Sequence, residues 1–291
     1  MTTEYSDHRW TSADGLSLYA RDYIPAQGSD ALPVIAIHGL TRNSADFETI
    51  APLIAKLGRR VLAVDVRGRG QSDRAVDPMT YRPDIYARDV LALMEDLGLE
   101  RAIFLGTSMG GIITMVLAAL KPEALHGAIL NDVGPELAIE GLSRIAAYTG
   151  QPVVIANWAD ACAYAQRINE AAFPHYGQAD WQAFARRIFV EGADGIPVLN
   201  YDPDISVPIK ADAAKALTPD LWPLFHALTQ SAPTLLIRGG ISDLINPAIV
   251  AKMKAAAPEM AYAEVPAIGH APMLHEPEAR AALISFLETL A

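Results

Sequence analysis

The segment Gly106-Thr107-Ser108-Met109-Gly110-Gly111 sets one serine hydroxyl among glycines, after an apolar strand-like run and ahead of an apolar run of helix length. A turn alone needs a single glycine; glycines on both sides of a serine let neighbouring backbone come close and let the hydroxyl project from the turn. A serine hydroxyl is a weak nucleophile until a base takes its proton and a third group orients that base. His270, in Ile-Gly-His-Ala-Pro, follows the last strand-like run, and Asp243, in Ile-Ser-Asp-Leu-Ile, follows the one before it. Asp243 is the expected acid, and Asp132, in Leu-Asn-Asp-Val, is a second carboxylate at a strand end. Acyl transfer also develops negative charge on the substrate oxygen, which two backbone N–H groups usually hold. Met109, directly after the serine at a helix start, and Leu40, in His-Gly-Leu-Thr, are the expected donors.

These residues need elements that bring them to one place. An opening hairpin is expected around Ala-Asp-Gly at 13–15. Short runs apolar on both sides read as buried strands at 33–39, 60–66, 101–106 and 127–133, with helical spacing at 45–57, 84–97 and 109–120 between them. The alternation predicts an α/β fold with a parallel sheet covered by helices. It stops after Val133 and resumes with a strand at 232–239, a helix at 247–256, a strand at 260–266 and a last helix from Pro277. The stretch from 134 to 218 shows helical patterning but no convincing buried strand, and is expected to be a helical insertion on a core formed by 1–133 and 219–291. Ser108, His270 and both aspartates then fall at strand C-terminal ends, the rim where open α/β sheets bind ligands.

A chain with 51% hydrophobic and 20% charged residues is globular in composition. Its net charge of −11 argues against nucleic acid or an anionic membrane as a partner, since both call for basic patches. The first ten residues show neither a basic nor an apolar signal region, and no apolar run reaches the length of a membrane span. The single cysteine, Cys162, fits a reducing cytoplasm. No cluster has metal-ligand spacing and no glycine pattern fits a nucleotide loop, so no cofactor or metal is expected. His38 and His226 are expected to be structural, and Arg67 and Arg69 to fix the loop that they occupy.

Together, His-Gly-Leu (38–40), Asp-Val-Arg-Gly-Arg-Gly-Gln-Ser-Asp (65–73), Gly-Thr-Ser-Met-Gly-Gly (106–111), Ser-Asp (242–243) and Gly-His-Ala-Pro (269–272) resemble the ordered landmarks of the α/β-hydrolase superfamily over nearly the full chain. The resemblance implies a mostly parallel eight-stranded sheet with helices on both faces, a helical cap inserted over the site, and a cofactor-free Ser108-His270-Asp243 mechanism. It is nearest to the serine branch of esterases, enol-lactonases and C–C hydrolases of vinylogous diketones. Family members with an aspartate nucleophile are disfavoured by Ser108. C–C hydrolases commonly carry tryptophan after the catalytic histidine, where this chain has Ala271.

The insertion holds most of the aromatic residues. The majority are expected to form its own core, with Tyr148, Trp158 and Phe184 as candidates to line an apolar site. Arg186 and Arg187 read as a solvated helix face rather than an anion clamp. The expected activity is hydrolysis of a small to medium hydrophobic carboxylic ester or lactone. The alternatives are C–C hydrolysis and a ligand-binding receptor with little turnover. A homo-oligomer is compatible with all three.

Overall fold

The computed structural model describes residues 5–28, 30–214 and 220–290. The chain opens with the hairpin β1 (Ser6–Thr11) and β2 (Ser17–Tyr23), then alternates β3 (Val34–Ile37), α1 (Ile50–Lys56), β4 (Val61–Asp65), α2 (Pro83–Asp96), β5 (Ala102–Thr107), α3 (Met109–Leu120) and β6 (Leu125–Asn131). Between β6 and the next strand of the sheet come α4 (Ile139–Tyr148), α5 (Trp158–Asn169), α6 (Gln178–Ile188), the short strands β7 (Phe189–Glu191) and β8 (Pro197–Leu199), α7 (Ser206–Ala214) and α8 (Trp222–Ser231). The alternation ends with β9 (Thr234–Gly239), α9 (Pro247–Ala256), β10 (Ala261–Val265) and α10 (Pro277–Thr289).

Eight strands form one sheet in the order β1-β2-β4-β3-β5-β6-β9-β10. The two pairings made by β2 are antiparallel and the rest are parallel. Residues of β3 alternate between two cores: Ile35 and Ile37 pack with Val90, Ile113, Phe225 and Met253 of α2, α3, α8 and α9. Val34 and Ala36 pack with Ile50 and Ile54 of α1 and Leu283 and Phe286 of α10. Helices on both faces explain why the central strands read as unbroken apolar runs rather than as alternating ones.

The stretch between β6 and β9 is mostly helical, as its patterning predicts, but it also contains the antiparallel pair β7–β8, with Phe189 opposite Leu199. Three-residue strands are too short to show a period in sequence. The expected boundary at 218/219 lies outside the described residues. Backbone hydrogen bonds tie this stretch to the rest. Gly70 N–H donates to the Asn200 carbonyl, and Asp202 N–H to that of Gly68. At the start of α4, the N–H groups of Ala138 and Gly141 donate to the carbonyls of Leu244 and Asp243.

Candidate active site

The turn from β5 into α3 is as tight as its glycines imply. A Cβ on Gly106 would stand 2.4 Å from the Gly110 backbone, and one on Gly110 would stand 2.0 Å from the Ile37 carbonyl oxygen of β3. The approach of α3 to the sheet holds Ser108 at φ 51°, ψ −115°, a conformation that costs a non-glycine residue about 1–3 kcal/mol and persists only where its surroundings impose it. The Ser108 N–H donates to the Asn131 carbonyl, which anchors the turn to β6.

Ser108 Oγ lies 2.9 Å from Nε2 of His270, in the loop after β10. The other imidazole nitrogen, Nδ1, lies 2.8 Å from Oδ2 of Asp132, at the end of β6. Asp132 is fully buried. Its carboxylate also accepts from the Gly239 N–H at 2.8 Å and from the Ser242 hydroxyl at 2.6 Å. Three donors converging on the carboxylate fix its direction. A serine, an imidazole and a buried carboxylate joined in this order constitute the geometry that activates a hydroxyl.

Asp243, the expected acid, is instead bound to Arg144 of α4, with Arg144 Nε 2.5 Å from Oδ2 and Nη2 2.8 Å from Oδ1. Burial raises its carboxyl, but the Arg144 hydrogen bonds and charge outweigh that and hold it below the ordinary carboxylate range. The Ser-Asp pair at 242–243 does reach the site, through the Ser242 hydroxyl rather than through the Asp243 carboxylate. Both aspartates stand at strand ends on one rim, and strand order does not say which of them faces the imidazole.

Asn131 is a site residue that the sequence reading passed over. Its buried side-chain amide donates to Thr107 Oγ1 at 3.0 Å and to the Pro272 carbonyl at 2.8 Å. It thereby links the residue before Ser108 to the loop that carries His270, and it directly precedes Asp132. An asparagine at a strand end was visible in the sequence, but its two partners were not.

The N–H groups of Leu40 and Met109 have no acceptor within the protein among the described residues. Arg69 Nε donates to the Leu40 carbonyl at 3.0 Å, and Nη1 donates to the Arg67 carbonyl and the Tyr86 hydroxyl. Arg67, buried, pairs with Asp14 and Asp89. Both arginines hold the loop that they occupy, as expected. His38 is buried as well, its Nδ1 donating to the Gly39 carbonyl while its Nε2 accepts from Val66 N–H. Burial pushes its pKa down to about 4.

Residues 33–277 match the model of the alpha/beta hydrolase fold. The chain belongs to that family. The 3-hydroxybutyrate-oligomer hydrolase of Cupriavidus necator is 37% identical over 250 residues, covering 84% of each chain. The 2-(acetamidomethylene)succinate hydrolase of Mesorhizobium japonicum is 29% identical over 247 residues, covering 84% of this chain and 83% of its own. Among solved structures, an alpha/beta hydrolase from Novosphingobium aromaticivorans superposes with a TM-score of 0.91 at 42% identity over 99% of both chains.

In this α/β-hydrolase fold a cavity opens on Ser108 and His270, with Leu40, Thr41, Arg42 and Asp46 from the segment after β3 and Ile145, Tyr148, Tyr164, Ile168, Phe184 and Ile188 from the stretch between β6 and β9. Tyr148 and Phe184 therefore line it, and Trp158 does not. Trp158 begins α5 and stacks under the Arg186 guanidinium, 3.4 Å from the ring centroid, beside a separate surface groove. Residue type and a place between β6 and β9 do not say which way a helix start faces. Most other aromatic residues here pack on one another, Phe173 against Tyr176, Trp181 and Phe184. Arg187 pairs with Glu48, so neither arginine of that helix is an anion clamp in this cavity. Among the described residues no group of three or more His, Cys, Asp or Glu side chains could hold a metal ion.

Proposed function

We propose that this chain is a serine hydrolase that cleaves a small to medium carboxylic ester through an acyl-enzyme. The observation that carries the reading is the run from Ser108 Oγ to His270 Nε2 at 2.9 Å and from His270 Nδ1 to Asp132 Oδ2 at 2.8 Å. Ser108 attacks the ester carbonyl as His270 takes its proton. Asp132 holds the Nδ1–H tautomer and offsets the charge of the imidazolium. The oxygen of the tetrahedral intermediate is held by the N–H groups of Leu40 and Met109, the second at a helix N-terminus where the dipole adds positive potential. His270 then gives the proton to the departing alcohol, and in the second half a water, activated by the same imidazole, releases the acid from Ser108.

The residues of the insertion form the roof of this site and act as its cap. The apolar walls from Phe184, Ile188 and Ile145 suit a short aliphatic acyl group. Similarity to a 3-hydroxybutyrate-oligomer hydrolase supports an oligomeric hydroxyalkanoate ester as the substrate class, with lactones as cyclic members of the same chemistry. The single free cysteine, Cys162, is in keeping with a reducing compartment.

The test is labelling by a fluorophosphonate together with turnover of p-nitrophenyl butyrate and the linear dimer of 3-hydroxybutyrate. Labelling at Ser108 and turnover that both vanish in Ser108→Ala are expected. Turnover confined to vinylogous diketones, or a single slow turnover with retained product, would replace this reading with C–C hydrolysis or with a receptor.

A further inference from the structure

The catalytic cavity shares a wall with a second groove that the mechanism above does not use. Tyr148, Tyr164 and Ile168 line both. Beyond them the groove is bounded by Arg144 and Ala147 of α4, by Arg167 of α5, and by Pro152, Val153 and Val154 of the segment that joins the two helices. Val154 is 95% exposed, so an apolar side chain stands in solvent at the rim.

Charge sets this groove apart from the rest of the surface. The chain carries a net charge of −11, yet among the described residues two arginines and no aspartate or glutamate line the groove. Arg144 is taken up by Asp243 through Nε and Nη2. Arg167 has neither a carboxylate nor a hydrogen-bond acceptor within the protein among the described residues, and its guanidinium carbon lies 5.2 Å from the centroid of the Tyr164 ring. Tyr164 is buried, so this contact holds the guanidinium against the wall that groove and cavity have in common. The groove is therefore apolar along its length and carries one arginine without a counter-charge. An aliphatic chain that ends in a carboxylate matches both properties.

The ester reading supplies such a chain. In a linear oligomer of a hydroxy acid, cleavage of any ester bond leaves the free carboxylate on the fragment that departs as the alcohol. The acyl fragment stays on Ser108 against the apolar walls of the cavity, and the alcohol fragment extends away from it. We infer that the groove between α4 and α5 is a subsite for the alcohol part of the substrate and that Arg167 binds its terminal carboxylate. The inference rests on the ester-hydrolase reading and adds to it a preference for esters whose alcohol part ends in a carboxylate. Arg167 is exposed, so its effect is modest in size and open to screening by salt.

The experiment uses the intact protein and butyrate esters of straight-chain ω-hydroxy acids, from hydroxybutanoic to hydroxydecanoic acid, each beside its primary amide. One scissile ester is kept throughout, and only the charge and reach of the alcohol part vary. The net negative charge of the chain by itself would favour the amides. At one or more chain lengths the carboxylate is instead expected to exceed its amide in kcat/KM by about threefold or more, chiefly through KM, and to lose that advantage at about 0.5 M NaCl. In Arg167→Gln the advantage is expected to vanish, with melting temperature measured alongside. Carboxylates turned over no better than amides at every length by the unaltered protein, with p-nitrophenyl butyrate still hydrolysed, overturn the inference and leave the ester reading intact, whether or not the variant folds. An advantage that salt does not reduce, or that survives in folded Arg167→Gln, overturns it as well. Absence of turnover on every ester removes the ester reading and this inference with it.

Discussion

The side-chain amide of Asn131 donates to the carbonyl of Pro272 at 2.8 Å, across 141 positions of the chain. The same nitrogen donates to Thr107 Oγ1, and the Asn131 carbonyl accepts from the Ser108 N–H. One buried residue at the end of β6 therefore holds the serine turn and the histidine loop at a common spacing.

Asn131→Ala removes both side-chain bonds and leaves two acceptors without their donor. Stability is expected to fall by about 1–3 kcal/mol, and kcat by at least about tenfold with KM little changed, because imidazole and hydroxyl lose their shared tether. Denaturant melts and steady-state kinetics on p-nitrophenyl butyrate check both parts. Equal loss of binding and turnover would mean the residue supports the fold alone.

The two aspartates are separable by mutation. Asp132→Asn retains an acceptor for the Gly239 N–H but presents the imidazole with the wrong partner. Its kcat is expected to drop by roughly a thousand- to ten-thousandfold. Asp243→Asn breaks only the contact with Arg144 and is expected to cost less than about tenfold. The reverse ranking would restore Asp243 as the acid.

His38 makes stability depend on pH. In the fold its pKa is lowered to about 4, chiefly by burial. The unfolded chain, with an ordinary histidine, therefore binds a proton that the native state refuses between about pH 6.5 and 4. This contribution is fully present above pH 6.5 and is lost as pH falls through that window, by about 2–3 kcal/mol near pH 4.5. Urea denaturation at pH 7.5 and 4.5 measures the fall, which is expected to shrink by that amount in His38→Gln.

Gly110→Ala tests the elbow. The added methyl carbon would sit 2.0 Å from the Ile37 carbonyl oxygen, a backbone atom that cannot swing aside. Helix α3 would have to lift from β3, costing about 3 kcal/mol or more and displacing Met109 and Ser108. A lowered melting temperature together with slowed fluorophosphonate labelling is the expected result. An unaffected labelling rate would show that the close approach of α3 does not set the serine.

Which elements form, and in what order, was written locally. The strands β3 to β6 and β9 carry apolar runs because both of their faces are covered, and the helices between them carry their own apolar spacing. The glycines at 106 and 110 announced a close turn because no other residue fits one. Ser108 and His270 were legible for the same reason, each following a strand run that had to end on one rim.

What the sequence could not decide is which partner each side chain meets across that rim. Asp132 and Asp243 are alike in type and in position after a strand. Only the seating of α4 turns Arg144 onto Asp243, while Gly239 N–H, Ser242 and His270 converge on Asp132. Trp158 turned away from the cavity, and Asn131 joined two loops, for the same reason. Strand and helix follow from hydrophobic period along the chain, whereas a hydrogen-bond partner is set by angstrom-scale packing between segments more than a hundred residues apart, and no local pattern encodes it.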